Sequence, residues 1–309
     1  MKKTAALGVL LIIIGLLLSN SKQATTPINE LLSGQNIEVT LGEKNAYYRN
    51  YDFSYVQNTT DFSPDCKQDL LNIYYTIINA GKHEFTFYCN KEYDNCKQDI
   101  EEIANNKDTL SLMNNYVHPY NGFRHIETEF DNTGKITVTV HKSYTQEDID
   151  VIEQKLNEIE QNVVNKNLSV EDNLKLIHDY IINNTKYDTA KRDYDNETFK
   201  SDIAYGPLLQ GYSICSGYAD AMQLMLERLG VENFKVASEN HVWNAVKINN
   251  EWKHLDLTWD DPIIDIGLDW IIYDFYLITT DQLLKLDQTE HTFNQEVYSE
   301  LKVIPQPQN

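Results

Sequence analysis

Gly211-Tyr-Ser-Ile-Cys215-Ser-Gly-Tyr-Ala-Asp220 runs into a segment where Tyr218, Met222, Met225, Leu226 and Leu229 recur at helical spacing, until Gly230 supplies a stop. The spacing predicts a helix with a thiol in its first turn. There the positive end of the helix dipole and unpaired backbone N–H groups favour a thiolate over a thiol. The same N–H groups suit a developing oxyanion on an acyl substrate. A lone cysteine is also a common small core residue, so this position alone leaves a buried structural thiol as open as a nucleophile.

The segment that follows tips the balance. Phe234 to Ser238, His241 to Ile248 and Glu251 to Trp259 read as three strands, with Asn249-Asn250 as a two-residue turn between the last two. Pairing Ile248 with Glu251 sets Trp243 opposite Asp256 and His241 opposite Thr258. With side chains alternating along each strand, His241, Trp243, His254 and Asp256 share one face. His241 and Asp256 become diagonal neighbours, roughly 7 to 8 Å apart at the backbone and within side-chain reach. A carboxylate on one imidazole nitrogen fixes the tautomer that lets the other nitrogen take a thiol proton. Taken singly, His241 reads equally well as a structural histidine and Asp256 as a turn cap. Together with Cys215 they form a nucleophile, base and orienting acid for acyl transfer.

At these residues the chain resembles the bacterial transglutaminase-like proteins. Cys215-Ser-Gly-Tyr-Ala-Asp, His241-Val-Trp-Asn-Ala-Val and His254-Leu-Asp-Leu-Thr-Trp-Asp-Asp-Pro262 are similar to the three core motifs of that group. His178-Asp-Tyr-Ile-Ile with Tyr187-Asp188, and Phe275-Tyr-Leu-Ile-Thr-Thr-Asp with His291, fit it too, so the resemblance covers about residues 170 to 300. It implies a papain-like arrangement of Cys215, His241 and Asp256, with a helix packed against a sheet. Animal transglutaminases place a Trp upstream of the cysteine to help hold the oxyanion. All four Trp here, at 243, 252, 259 and 270, lie downstream. Gln210 and Tyr205 are therefore the candidate oxyanion donors, and Trp243, Trp259 and Tyr218 the candidate core or cleft residues.

Upstream, residues 67 to 80 and about 95 to 104 carry helical patterns, with a strand-like His83 to Tyr88 between them. Phe123 to Phe130 and Lys135 to His141 alternate around Asp131-Asn-Thr-Gly134, which reads as a hairpin. Thr145 with Asp148, and Ser169 with Asp172, are capping signals for two amphipathic helices. Polar Asp188 to Asp202 reads as a surface loop. The expected class is α+β, with a smaller α+β domain over 22–165 ending in a long helix. A papain-like domain over 166–309 follows, with its Cys-bearing helix on an antiparallel sheet.

Met1-Lys2-Lys3, an apolar run from Ala5 to Leu18 and Ser19-Asn20-Ser21 read as a signal peptide or N-terminal anchor over 1–21. The run is short against the roughly 20 residues of a membrane span, so cleavage is the favoured reading and an uncleaved segment would be the membrane tie. The protein is expected outside the cytoplasm or at the cell surface, by a bacterial secretory route. An oxidising compartment tends to pair cysteines. Cys89 and Cys96, across a short polar loop, are the candidate disulfide, with Cys66 buried or replacing one of them.

The formal charge of -21, from 47 acidic and 26 basic residues, argues against nucleic acid and anionic lipid as partners. Asp260, Asp261 and Asp265 have no metal-loop spacing, and there is no Gly-rich phosphate loop, so neither a metal nor another cofactor is expected. The reading that results is a thiol enzyme. It forms a Cys215 thioester with a peptide or glutamine carbonyl and resolves it with water or an amine, on surface protein or cell-wall peptide. The competing reading is a catalytically inactive surface-binding module on the same scaffold.

Overall fold

The computed structural model describes residues 39–262 and 270–302; the expected signal peptide or N-terminal anchor over 1–21 and Asp265 lie outside the described residues. The first half contains α1 (Lys67–Asn79), β1 (Glu84–Tyr88), α2 (Cys96–Asn105), α3 (Lys107–Met113), β2 (Phe123–Phe130), β3 (Lys135–Lys142) and α4 (Gln146–Asn162). After it come α5 (Val170–Asn183), β4 (Lys186–Tyr187), α6 (Thr189–Tyr194), β5 (Tyr212–Ser213) and α7 (Cys215–Arg228). The chain closes with β6 (Asn233–Ala237), β7 (Val242–Ile248), β8 (Glu251–Leu255), α8 (Leu257–Asp260) and α9 (Thr280–Leu286).

The caps explain several boundaries. Thr145 accepts from the Asp148 amide while Asp148 answers the Thr145 amide, which starts α4. Ser169 accepts from the Asp172 amide at the head of α5. The polar stretch after Asp188 is not all loop: the Asp188 side chain accepts from Lys191 N and starts α6. Cys89 and Cys96 are joined as a disulfide, and Cys66 is an exposed free thiol at the head of α1.

Two antiparallel sheets result, ordered β1-β3-β2 and β6-β7-β8, with β4 and β5 as a short parallel pair. In the second sheet Ile248 pairs with Glu251 and Asn244 with Leu255, the register the Asn249-Asn250 turn predicts. Both asparagines have positive φ, 52° and 66°, as a two-residue I′ turn requires.

The expected third strand stops at Leu255 rather than Trp259, so His241 does not pair with Thr258. The physical reason is Asp256, whose Oδ1 accepts from the amides of Thr258 and Trp259 and turns the backbone into α8.

The β6-β7-β8 sheet is covered on both faces. Phe234, Val236, Trp243 and Ala245 pack into a cluster with Ile73, Tyr74 and Ile77 of α1 and Ile136, Val138 and Val140 of β3. Val246, Ile248 and Leu255 join Leu156 of α4, Leu174 and Ile177 of α5, and Met222, Met225 and Leu226 of α7. A doubly covered sheet loses the clean apolar-polar alternation of a half-exposed one, which matches the nearly continuous burial of β6 and β7. The expected boundary near 166 falls between α4 and α5, and each cluster draws on residues from both sides of it. Among the described residues no helix is long and apolar enough to cross a membrane.

Candidate active site

Cys215 opens α7, following Ile214 in extended conformation, and its side chain is half-buried rather than sealed in the core. The Gly217 and Tyr218 amides bond back to Ile214 O. Those of Cys215 and Ser216 make no hydrogen bond among the described residues, as expected for the first N–H groups of a helix. Gly217 presses against the chain that precedes the helix, where an added Cβ would collide with the Ser201 carbonyl and the Ser213 hydroxyl. Only glycine fits this contact, which seats the first turn of α7.

His241 lies just before β7 and Asp256 just after β8, at the same end of the sheet. His241 Nε2 donates to Asp256 Oδ2 at 2.6 Å with both side chains buried, and the imidazole is stacked on the Trp243 ring at 5.5 Å. Burial alone would lower the His241 pKa, but the Asp256 carboxylate and then the Cys215 sulfur outweigh it and raise it to about 10. The three residues that the sequence singles out are thus brought into one electrostatic unit. Nδ1 of His241 is the ring nitrogen that Asp256 leaves for the thiol.

Asp256 has further partners. His291 Nε2 donates to the same Oδ2 at 2.9 Å, and His291 Nδ1 donates to Asp287 Oδ2 at 2.8 Å. Burial works to raise the Asp256 pKa, yet His241 and His291 together hold its carboxyl well below the usual range. His241, Asp256 and His291 present donor atoms close enough for a metal, but here those atoms are spent on one another. The motif histidine His254 is a buried neutral pin instead. Its Nδ1 accepts from Trp243 Nε1 at 2.9 Å, its Nε2 donates to Thr280 Oγ1 at 3.0 Å, and burial lowers its pKa to about 3.

The remaining candidates divide. Trp243 and Tyr218 are fully buried core residues, Tyr218 donating to Asp261 from inside the core, so neither forms an open cleft wall. Trp259 is half-buried, 5.0 Å from the His291 ring and 6.5 Å from that of His241. Gln210 spends its Oε1 on the Lys200 amide, and the Tyr205 ring lies under Lys200 Nζ at 4.7 Å. Neither is hydrogen-bonded to Cys215 among the described residues.

Sequence reasoning gave no role to Tyr187, although it lies in a quoted motif. The β4-β5 pairing sets Tyr187 beside Ser213, two residues before Cys215. Burial and the Cys215 sulfur push its hydroxyl up to about 12. The signal for His291 was its place in the motif set, without a partner to give it meaning.

Residues 157–257 match the family model of the transglutaminase-like superfamily, a span that contains Cys215, His241 and Asp256. Among solved structures the chain is similar to a TGase, at 16% identity and TM-score 0.31 over 44% of this chain and 45% of that one. It is also similar to a candidate cysteine protease from Cytophaga hutchinsonii, at 13% identity and TM-score 0.27 over 43% and 61%. A third similarity is to menin, described with its binding site for the Mixed Lineage Leukemia protein, at 18% identity and TM-score 0.29 over 46% and 31%. The chain spans less than two thirds of each of these three. No curated protein matches significantly.

Proposed function

We propose that this chain, which carries a transglutaminase-like domain over residues 157–257, is a thiol acyl-transfer enzyme with Cys215 as nucleophile, His241 as base and Asp256 as orienting acid. The observation that carries the reading is the buried 2.6 Å bond from His241 Nε2 to Asp256, made by a ring that also feels the Cys215 sulfur at the head of α7.

His241, whose pKa is raised to about 10, holds the proton that Cys215 gives up as an imidazolium, and the sulfur attacks the carbonyl carbon of a peptide bond or glutamine side chain. The oxyanion that forms is held by the amides of Cys215 and Ser216 at the helix start. Collapse breaks the C–N bond, the leaving amine takes the proton from His241, and a thioester remains. Water or a second amine then attacks, again losing a proton to the imidazole, and the C–S bond breaks to restore the thiol. Asp256 keeps its charge throughout and stabilises the imidazolium. His291 is a positioning residue, fixing Asp256 through Oδ2 while the Thr258 and Trp259 amides fix Oδ1.

Water as acceptor makes the protein a protease or amidase; an amine makes it a cross-linker. The substrate we assign is surface protein or cell-wall peptide, in keeping with the export segment. The Cys89–Cys96 disulfide supports an oxidising compartment.

The test is alkylation by iodoacetamide near neutral pH, followed by peptide mass mapping so that exposed Cys66 serves as the internal reference. Cys215 should react faster than Cys66, and His241→Ala should remove the advantage. Equal rates in the unmodified protein would sink the enzymatic reading. Incubation with a labelled amine and a glutamine-rich protein then separates incorporation from hydrolysis.

A further inference from the structure

The outer face of the β2-β3 hairpin gathers His125, Glu127 and His141. His125 and His141 are cross-strand partners, and Glu127 stands two residues along β2 on the same side. A bulge between Phe123 and His125 breaks the alternation there, so that Phe123 stays in the core while Arg124 and His125 both face solvent. The two imidazoles stack at 3.9 Å between centroids. Glu127 Oε1 lies 3.6 Å from His125 Nε2 and 3.3 Å from His141 Nε2. The three donor atoms all fall within 4.8 Å of one another.

From these positions we infer a divalent transition-metal site of the zinc type, with His125 Nε2, His141 Nε2 and Glu127 Oε1 as ligands. Bonds of about 2.0 to 2.2 Å in a tetrahedron hold donors roughly 3.3 to 3.6 Å apart, the range in which both histidine-to-Glu127 spacings fall. An independent feature points the same way. His141 Nε2 is shielded from water yet makes no hydrogen bond among the described residues, and Glu127 Oε1 faces it at 3.3 Å. Two imidazoles and a carboxylate select zinc, copper or nickel over calcium or magnesium, which prefer oxygen ligands throughout. A chain of formal charge -21 also concentrates cations at its surface. The fourth position is open to water, with the His83 ring standing next to the cluster, 6.3 Å from that of His141. The site lies on a different sheet from the proposed thiol centre and owes nothing to it.

Calorimetric titration of zinc into tag-free full-length protein tests the inference. The background is Cys66→Ser with Cys215→Ala, so that neither free thiol contributes. One zinc should bind per chain, and His125→Asn with His141→Asn, which removes two of the three ligands, should weaken it by more than the roughly tenfold that loss of an outer-shell partner costs. Glu127→Gln should weaken it as well. All three residues face outward, so circular dichroism of the variants should match the parent. Absence of stoichiometric zinc binding overturns the site. So does binding that the His125→Asn, His141→Asn protein keeps undiminished, which would place the ion elsewhere, including among His241, Asp256 and His291.

Discussion

His291 and His241 donate to one oxygen, Oδ2 of Asp256, at 2.9 and 2.6 Å. A carboxylate shared by two imidazoles has its direction set twice over, and the second ring is itself tied to Asp287. The His241–Asp256 bond is therefore held by parts of the chain well outside the hairpin that bears it.

Removing the second ring should be felt at the first. A hydrogen bond to a buried charge contributes roughly 1.5 to 3 kcal/mol. His291→Ala should therefore slow Cys215 alkylation, and any amidase or transamidase turnover, by about tenfold or more. His291→Gln, which keeps a donor, should recover part of the loss. Unchanged Cys215 reactivity in His291→Ala would remove His291 from the mechanism.

Gly217→Ala tests the seat of the nucleophile. Its new methyl must push against the Ser201 carbonyl and Ser213 hydroxyl. Overpacking of this kind costs about 1 to 3 kcal/mol. A lowered thermal midpoint accompanied by a slower Cys215 reaction is the expected result. Full stability and full reactivity would show that the first turn tolerates a side chain.

The acid limb of stability should come from two buried neutral histidines. Burial lowers the pKa of both His118 and His254 from 6.5 to about 3. Between these values the unfolded chain binds protons that the folded chain refuses, so stability is fully present above pH 6.5 and drains as pH falls toward 3. The slope is up to about 1.4 kcal/mol per pH unit for each group. Thermal midpoints measured from pH 7 to pH 4 should fall, and His118→Asn should flatten the fall.

His241 gives the alkaline limb. With its pKa raised from 6.5 to about 10, its contribution is fully present below pH 6.5 and is lost as pH rises through 10. Turnover should decline over the same upper range, because the imidazolium that protonates the leaving amine disappears. A turnover profile already falling by pH 8 would contradict the charged pair.

Reducing Cys89–Cys96 should separate stability from chemistry. Closing so short a loop contributes about 2.5 kcal/mol in the chain-entropy model. The double variant Cys89→Ser, Cys96→Ser should thus lower the denaturant midpoint and leave Cys215 alkylation as it was.

Much of this arrangement could be read from the chain before folding because local rules agreed. Period-two alternation around Asn249-Asn250 defined the pairing of β7 and β8, and helical spacing after Cys215 defined α7. What escaped was whatever depended on a bond between distant segments. Asp256 looked like a strand residue because its capping of α8 competes with the strand only once the carboxylate is fixed. The partner of His291 lies 35 positions away, and nothing in its own surroundings names it. The hairpin carrying His125 and His141 was legible, yet ligand spacing along a sequence does not reveal donors that a strand pairing brings face to face. Gln210 stands five positions before Cys215 in the sequence, whereas the fold commits its oxygen to the Lys200 amide.

The turn at Asn249 and Asn250 has a consequence for how this protein can vary. Because neighbouring strand positions point to opposite faces, a one-residue slip of β8 against β7 would swing position 256 away from the imidazole of His241 while leaving a hairpin, and the two-residue turn is what holds the register at Ile248 and Glu251. A chain with the slipped register would keep the architecture and lose the chemistry proposed for Cys215, His241 and Asp256, so the two left-handed asparagines act as the gauge of that pairing.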